Sequence, residues 1–175
     1  MSPAFKKRSG GIQDEKYKLI TGCILILAVI LLGICIVQGY TLNRMKETSI
    51  SGIADSYQNF RTLIYNGIHR YQNEADTHIV GLALGSADGC RMEIYAHYRY
   101  LEKGYNSNAV SGDSIAALAL IQENVERLVQ MPYSEEISEQ LGEINNWLQD
   151  PVRSDLNQLS TEEIRQFLKG IGMEE

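Results

Sequence analysis

LITGCILILAVILLGICIV, residues 19–37, is the segment on which the architecture of this 175-residue chain depends. It contains no charged side chain, and thirteen of its nineteen residues are Leu, Ile or Val. A helix of that length reaches across roughly the 30 Å hydrocarbon core of a bilayer, and the thirteen side chains favour insertion by about 4 to 8 kcal/mol. We therefore expect a transmembrane helix at about 18–40, with Tyr17 and Tyr40 near the headgroups.

The charges that flank this segment predict its orientation. Arg44 and Lys46 follow it closely, whereas five basic residues precede it, namely Lys6, Lys7, Arg8, Lys16 and Lys18. Because the more basic flank is retained in the cytoplasm, we expect 1–17 to be a basic cytoplasmic tail and 41–175 an extracytoplasmic domain. The expected location is the cell membrane, plasma or inner, with membrane lipid as one partner.

A cleaved signal peptide is the alternative to this uncleaved signal-anchor. Val37-Gln38-Gly39 could serve as its exit, but the apolar region of a signal peptide spans only about 7 to 15 residues. Ile20-Thr21-Gly22-Cys23 has the spelling of a bacterial lipoprotein box, yet it opens the apolar stretch instead of following it. The sequence therefore favours an anchor that stays in the mature protein.

Formal charge is distributed unevenly along the chain. Residues 1–18 carry plus 3, residues 41–112 sum to zero, and residues 113–175 hold four basic and thirteen acidic side chains, which gives minus 9. An acidic surface repels phosphate backbones, and no basic stripe occurs beyond the apolar segment. Nucleic acid is therefore not expected as a partner.

Apolar residues beyond Tyr40 recur mostly every three or four positions, which predicts one long helix. They are Met45, Ile50, Ile53, Tyr57, Phe60, Ile64, Ile68, Tyr71, Ala75, Ile79 and Leu82. The stripe drifts as in an ordinary helix on a globular core, so a bundle is favoured over a coiled-coil rod. Gly52, Gly67 and Gly81 either admit a closely packed helix or merely weaken this one. The predicted fold class is mainly α: one N-terminal transmembrane helix followed by an extracytoplasmic helical bundle.

The segment at about 79–100 is ambiguous. Residues 85–89, GSADG, predict a turn, because Asp-Gly readily adopts positive φ. Residues 91–100 alternate strictly between two faces, as a strand does. A helical spacing is also present, at Ile94, Tyr98, Leu101 and Tyr105. The helical surroundings favour a helix, and an α+β fold with a β-hairpin at about 79–100 is the alternative.

In the C-terminal part, the residue pattern predicts a loop at 106–113 followed by two amphipathic helices. The first runs from Ser114 to Gln130 and ends before Pro132. The second has Ser134 as its N-cap, reaches Gln149 and is closed by Pro151. Its apolar stripe is Ile137, Leu141, Ile144 and Leu148.

A short last helix has the clearest start signal. Ser160 and Glu163 are spaced for a capping box, while Leu159 and Ile164 are spaced for a hydrophobic staple across the same helix entry. We expect this helix to run to Lys169 and to end at Gly170, because glycine commonly terminates helices.

No constellation of catalytic or metal-binding residues is recognisable. The candidate ligands are His69, His78, His97, Glu74, Asp76 and Glu93. His69 and His78 are nine residues apart and would point to opposite sides of a helix, so no metal site is expected. The chain has no phosphate-binding loop, nucleophile elbow or Cys-x-x-Cys pair. We therefore expect no cofactor, no catalytic residues and no enzyme activity.

Three features bear on interactions. Cys90 is the one cysteine outside the apolar segment, and either packs in the core or forms an intermolecular disulfide. The acidic run on the second amphipathic helix, at Glu135, Glu136, Glu139 and Glu143, suits a solvated face better than a docking patch. Seven tyrosines favour half-buried helix seams over a contact surface, and they are Tyr57, Tyr65, Tyr71, Tyr95, Tyr98, Tyr100 and Tyr105.

Two classes of function fit these expectations. The first is a membrane-anchored assembly or scaffold subunit, whose helical domain binds a protein partner or forms a homo-oligomer. The alternative is an extracytoplasmic ligand-sensing domain. It would have to signal through a partner, because the tail at 1–17 has no room for an output domain.

Overall fold

The computed structural model describes residues 9–74, 77–105 and 109–173, and 91% of these residues are helical. No strand occurs among them. The helices are α1 (Ser9–Glu74), α2 (Thr77–Tyr105), α3 (Gly112–Gln130), α4 (Glu135–Gln149) and α5 (Thr161–Gly170). Two 3-10 turns, Pro151–Ser154 and Leu156–Gln158, connect α4 to α5. The prediction of a mainly helical protein is confirmed.

The chain divides into two compact units, Met1–Met45 and Lys46–Glu175. The first unit contains the apolar part of α1, where an 18-residue window has a mean hydropathy of 3.1 and none of it is buried. Within the described residues, this is the one helix that is long and apolar enough to cross a membrane. It is compatible with the expected membrane anchor, and its orientation stays a prediction.

The second unit is built around one apolar core, to which α1 contributes most of the predicted stripe. Ile53, Tyr57, Phe60, Ile64, Ile68 and Tyr71 are all buried. The prediction of one helix through Leu82 is wrong, because α1 ends at Glu74 and α2 begins at Thr77; Ala75 lies outside the described residues. Burial in α2 follows a new stripe, at Val80, Leu84, Ala87, Ile94 and Leu101, whereas Leu82 is 62% exposed.

Two glycines let α1 and α2 approach closely within this unit. A Cβ built on Gly67 would lie 3.2 Å from the Cβ of Ala83, and one built on Gly52 would lie 2.6 Å from Nε2 of His97. Beside Gly52, the Ser56 hydroxyl donates a hydrogen bond of 2.8 Å to Glu93. Close packing is therefore confirmed at Gly52 and Gly67, whereas a Cβ on Gly81 would meet nothing within 4 Å.

The predicted turn at residues 85–89 is wrong, because this segment lies inside α2. Leu84 and Ala87 face the core, and their burial, with that of Val80 one turn earlier, outweighs the cost of about 1 kcal/mol for each helical glycine. Residues 79–100 are helical throughout, so the preferred helix is confirmed and the β-hairpin does not form in the described chain.

The predicted features of α3 and α4 are largely confirmed. α3 begins at Gly112, two residues before the predicted start, because the Ser111 hydroxyl caps it by accepting a hydrogen bond of 2.9 Å from the Ser114 amide. Ser134 caps α4 through the Ile137 amide at 3.2 Å. The buried residues of α4 are those of the predicted stripe, Ile137, Leu141, Ile144 and Leu148.

The start of α5 is confirmed in part. The Ser160 hydroxyl accepts a hydrogen bond of 3.2 Å from the Glu163 amide, and Leu159 and Ile164 are both buried. The reciprocal half of the capping box is wrong. In this described segment the Glu163 carboxylate accepts a hydrogen bond of 2.6 Å from Arg153 instead of one from the Ser160 amide.

The end of α5 differs from the prediction, since Gly170 belongs to the helix and Gly172 supplies the positive φ, +81°. The Met173 amide donates to the Leu168 carbonyl at 3.0 Å and the Gly172 amide to the Lys169 carbonyl at 3.2 Å. This is a Schellman ending. It returns the chain to the helix and leaves Met173 buried.

Candidate interaction groove

The residues considered as metal ligands are separated in the structure. His69 is exposed and stacks on Tyr65 with ring centroids 5.8 Å apart, whereas His97 packs against Gly52 on another face. The described residues contain no group of three His, Cys, Asp or Glu residues that could hold a metal ion. Asp76 lies outside the described residues.

The tyrosines divide between core and surface. Tyr57 and Tyr71 are buried and Tyr98 and Tyr105 are partly buried against the core, whereas the other three, Tyr65, Tyr95 and Tyr100, remain exposed. The seam interpretation therefore holds for part of the group. The Tyr71 ring also contacts the ring of Tyr133, with centroids 5.7 Å apart and the rings tilted relative to each other.

Cys90 packs partly buried against the core. Burial, and after it the nearby Glu93 carboxylate, raises the pKa of its thiol. A raised thiol pKa lowers the thiolate fraction and with it the reactivity in disulfide exchange. This favours the core-packing interpretation over an intermolecular disulfide.

A buried arginine that sequence analysis missed joins α1 to the end of α4. Arg61 is 4% exposed, and its Nε donates a hydrogen bond of 3.0 Å to the Leu148 carbonyl. The Gln149 side chain in turn donates to the Arg61 carbonyl at 3.1 Å. Carbonyl groups at a helix C-terminus lack intrahelical partners and carry partial negative charge, so they suit a buried cation.

A second arginine attaches α5 to the end of α4. The Arg153 guanidinium lies 4.0 Å from the ring centroid of Trp147, and it bridges Asp150 at 3.3 Å and Glu163 at 2.6 Å. Trp147 stacks on Phe167 of α5 with centroids 5.0 Å apart. These contacts position α5, and their only local sequence signal is the proximity of Trp147 to Arg153.

Positioned in this way, α5 forms one wall of a groove against α3. The groove has a cavity volume of about 680 Å³. Its apolar lining consists of Leu120, which is partly exposed, and of Leu168 and Met173, which are 7% and 6% exposed. Met173 reaches this position because the Schellman ending of α5 directs it back onto the helix. Neither the helices' order nor their spacing in the sequence signals this groove.

The rim of the groove concentrates positive charge. Residues 113–175 contain four basic side chains, and three of them, Arg127, Arg165 and Lys169, line the groove. The fourth, Arg153, is engaged by Trp147, Asp150 and Glu163. Glu123 and Glu162 complete the charged rim. A net positive rim around an apolar floor therefore interrupts a strongly acidic surface.

Part of the rim is held in place by local hydrogen bonds. Arg127 donates to the Asn124 side chain at 2.9 Å, and Asn124 donates to the Leu120 carbonyl at 2.8 Å. On α5, Gln166 donates to Glu162 at 2.8 Å. The walls are thus partly preorganised, which lowers the entropy cost of binding an occupant.

A ridge of opposite character lies at the start of α4. It begins with Met131 and Tyr133, which are 43% and 56% exposed, and continues with acidic side chains. The whole α4 ridge comprises Met131, Tyr133, Glu135, Glu136, Glu139 and Glu143, and the four carboxylates are all exposed. The prediction of a solvated acidic face agrees with this exposure.

Comparison of the chain with protein-family models, with curated proteins and with solved structures gives no match.

Proposed function

We propose that this chain is a membrane-anchored assembly or scaffold subunit whose extracytoplasmic helical unit binds another protein. The observation that carries the proposal is the groove between α3 and α5, in which Arg127, Arg165 and Lys169 surround an apolar floor. The apolar helix at the N-terminus supports an anchor, and the basic residues before it support a cytoplasmic N-terminus.

The construction of the groove suits a protein partner. Protein interfaces combine a desolvated apolar centre with a polar rim, and a groove between two helices accepts an extended or helical segment. Here Leu120, Leu168 and Met173 provide the apolar centre. The three cations at the rim would select a segment that carries acidic side chains.

A second candidate is the ligand-sensing domain, which the size of the groove favours. Small-molecule sites commonly enclose roughly 300 to 1,000 Å³. The groove volume of about 680 Å³ falls within that range. The cations Arg165 and Lys169 would then bind an anionic group of the ligand.

Site-specific photo-crosslinking of the full chain in its native membrane tests the proposal. A photoreactive side chain would replace Gln166 in the groove, and in a matched control it would replace exposed Thr62 on α1. We expect a covalent protein adduct from position 166 that is absent or much weaker from position 62. Equal protein adducts at the two positions, or none at 166, would contradict it. An adduct with only a small molecule's mass would support the sensor.

A further inference from the structure

We infer that the partner in the groove is a second copy of this chain, which inserts its α4 ridge. This inference rests on the proposed function, because it names the occupant of the same groove. The groove and the ridge are two different surfaces of the unit Lys46–Glu175. Each copy therefore carries both halves of one interface.

The two surfaces are complementary in charge. The groove presents three cations, Arg127, Arg165 and Lys169, against two carboxylates, which leaves it net positive, and the α4 ridge presents four exposed carboxylates. Glu135, Glu139 and Glu143 follow one another at intervals of four residues, which places them along one side of α4. A row of carboxylates on a helix can meet cations spread along α3 and α5. Complementary charge of this kind sets the register of an interface and excludes other partners.

The two surfaces are also complementary in their apolar parts. Met131 and Tyr133 are exposed immediately before the acidic row, and Leu120, Leu168 and Met173 form the apolar surface within the rim. Tyrosine is enriched among residues that dominate binding energy, and methionine adapts to irregular apolar surfaces. An apolar end followed by carboxylates matches an apolar floor bordered by cations.

The ridge is held in a defined conformation before it binds. Pro132 restricts the backbone between the two apolar side chains, and the Ser134 hydroxyl fixes the start of α4 through the Ile137 amide. Tyr133 rests against the buried Tyr71 ring. Binding therefore requires little ordering of this segment, which favours affinity.

Each copy can donate its ridge to a neighbour and receive the ridge of that same neighbour, which closes a two-fold dimer. If it receives the ridge of another copy instead, a row or a larger ring results. Anchoring in one membrane raises the effective concentration of copies and so permits a modest contact to assemble them. This is the behaviour expected of an assembly subunit.

The test uses two full-length copies with different epitope tags, co-expressed and purified together from solubilised membranes. The groove variant carries Arg165→Glu and Lys169→Glu, and the ridge variant carries Glu139→Arg and Glu143→Arg. A control with the same charge change as the ridge variant carries Glu47→Arg and Asp55→Arg on the exposed face of α1. Co-purification is compared at low and high salt.

We expect wild-type copies to co-purify, and increasing salt to weaken their association. Self-association should fall at least about tenfold in either reversed variant, because like charges then face each other across the contact. The control should associate like wild type. Mixing the groove variant with the ridge variant should restore pairing, since the intact ridge of one fits the intact groove of the other. Restored pairing also shows that both variants are folded.

Failure of wild-type copies to co-purify would overturn the inference, and so would reversed variants that still self-associate or a mixture that fails to pair. The photo-crosslink from position 166 separates this failure from that of the proposed function. An adduct with a different protein would exclude a second copy as the occupant of the groove and would still support the protein-binding function. If position 166 gives no protein adduct at all, both the second copy as occupant and the protein-binding function are excluded.

Discussion

Tyr57→Phe tests how the long helix α1 is fastened to the C-terminal part of the unit. The Tyr57 side chain is 1% exposed, and its hydroxyl donates a hydrogen bond of 2.6 Å to the Arg153 carbonyl. Phenylalanine fills nearly the same volume but leaves that carbonyl without this donor. We expect the free energy of unfolding at pH 8 to fall by about 1 to 3 kcal/mol.

The same substitution should remove a component of alkaline denaturation. Burial raises the pKa of Tyr57 to about 12 from the ordinary value of 10.0, against the lowering effect of Arg61 and Arg153. The unfolded chain therefore loses this proton first, and the stability that depends on it is complete below pH 10 and declines as the pH rises towards 12. At pH 11 the decline amounts to about 1.4 kcal/mol.

Urea unfolding of the fragment 46–175, which contains the whole described core, measures both effects. The quantity to follow is the difference in free energy of unfolding between wild type and Tyr57→Phe, because every other side chain is common to both proteins. That difference should shrink by about 1.4 kcal/mol between pH 8 and pH 11. A difference that stays constant or grows would show that the Tyr57 hydroxyl is not protected by burial.

Three further outcomes are expected. Leu148→Ala should destabilise the unit by about 2 to 5 kcal/mol, whereas Glu139→Ala should scarcely change its melting temperature; equal shifts would mean that the buried face of α4 is assigned wrongly. Ser160→Ala should cost about 0.5 to 2 kcal/mol and speed hydrogen exchange within Thr161–Gly170, and unchanged exchange would show that the cap contributes nothing. A reporter fused after Glu175 should be active only outside the cytoplasm, and cytoplasmic activity would refute the orientation.

The helices near the C-terminus were predictable because their signals are local. A serine cap and an apolar residue every three or four positions suffice to define α4, and both lie within a few residues of the helix they specify. The buried face of α4 could be predicted directly from the spacing of its apolar residues. The capping box of α5 was only half predictable, because Arg153, ten residues away in sequence, binds the Glu163 carboxylate.

The region between Tyr71 and Gly89 was harder because tertiary burial overrides local preference there. The periodic stripe continues past Glu74 without revealing that one helix ends and another begins. GSADG at residues 85–89 has turn-forming composition, yet burial of Leu84 and Ala87 keeps it helical. Such outcomes depend on contacts of α2 with other helices, α3 among them, that no short window contains.

The groove was beyond local sequence patterns for the same reason. Arg127 belongs to α3, whereas Arg165 and Lys169 belong to α5, and only the packing of the two helices brings them to one site. The charge count of residues 113–175 gave a partial signal, because only four basic side chains accompany thirteen acidic ones and three of the four converge on the groove.

The acidity of the C-terminal part has a consequence for how copies of the chain could associate. Most pairs of surfaces from two such copies would bring carboxylates together, and like charges at an interface disfavour wrong contacts. The groove is an exception because it gathers Arg127, Arg165 and Lys169 around an apolar floor. Repulsion elsewhere and attraction at this groove would together select one register. The acidic surface of each copy would then also direct assembly.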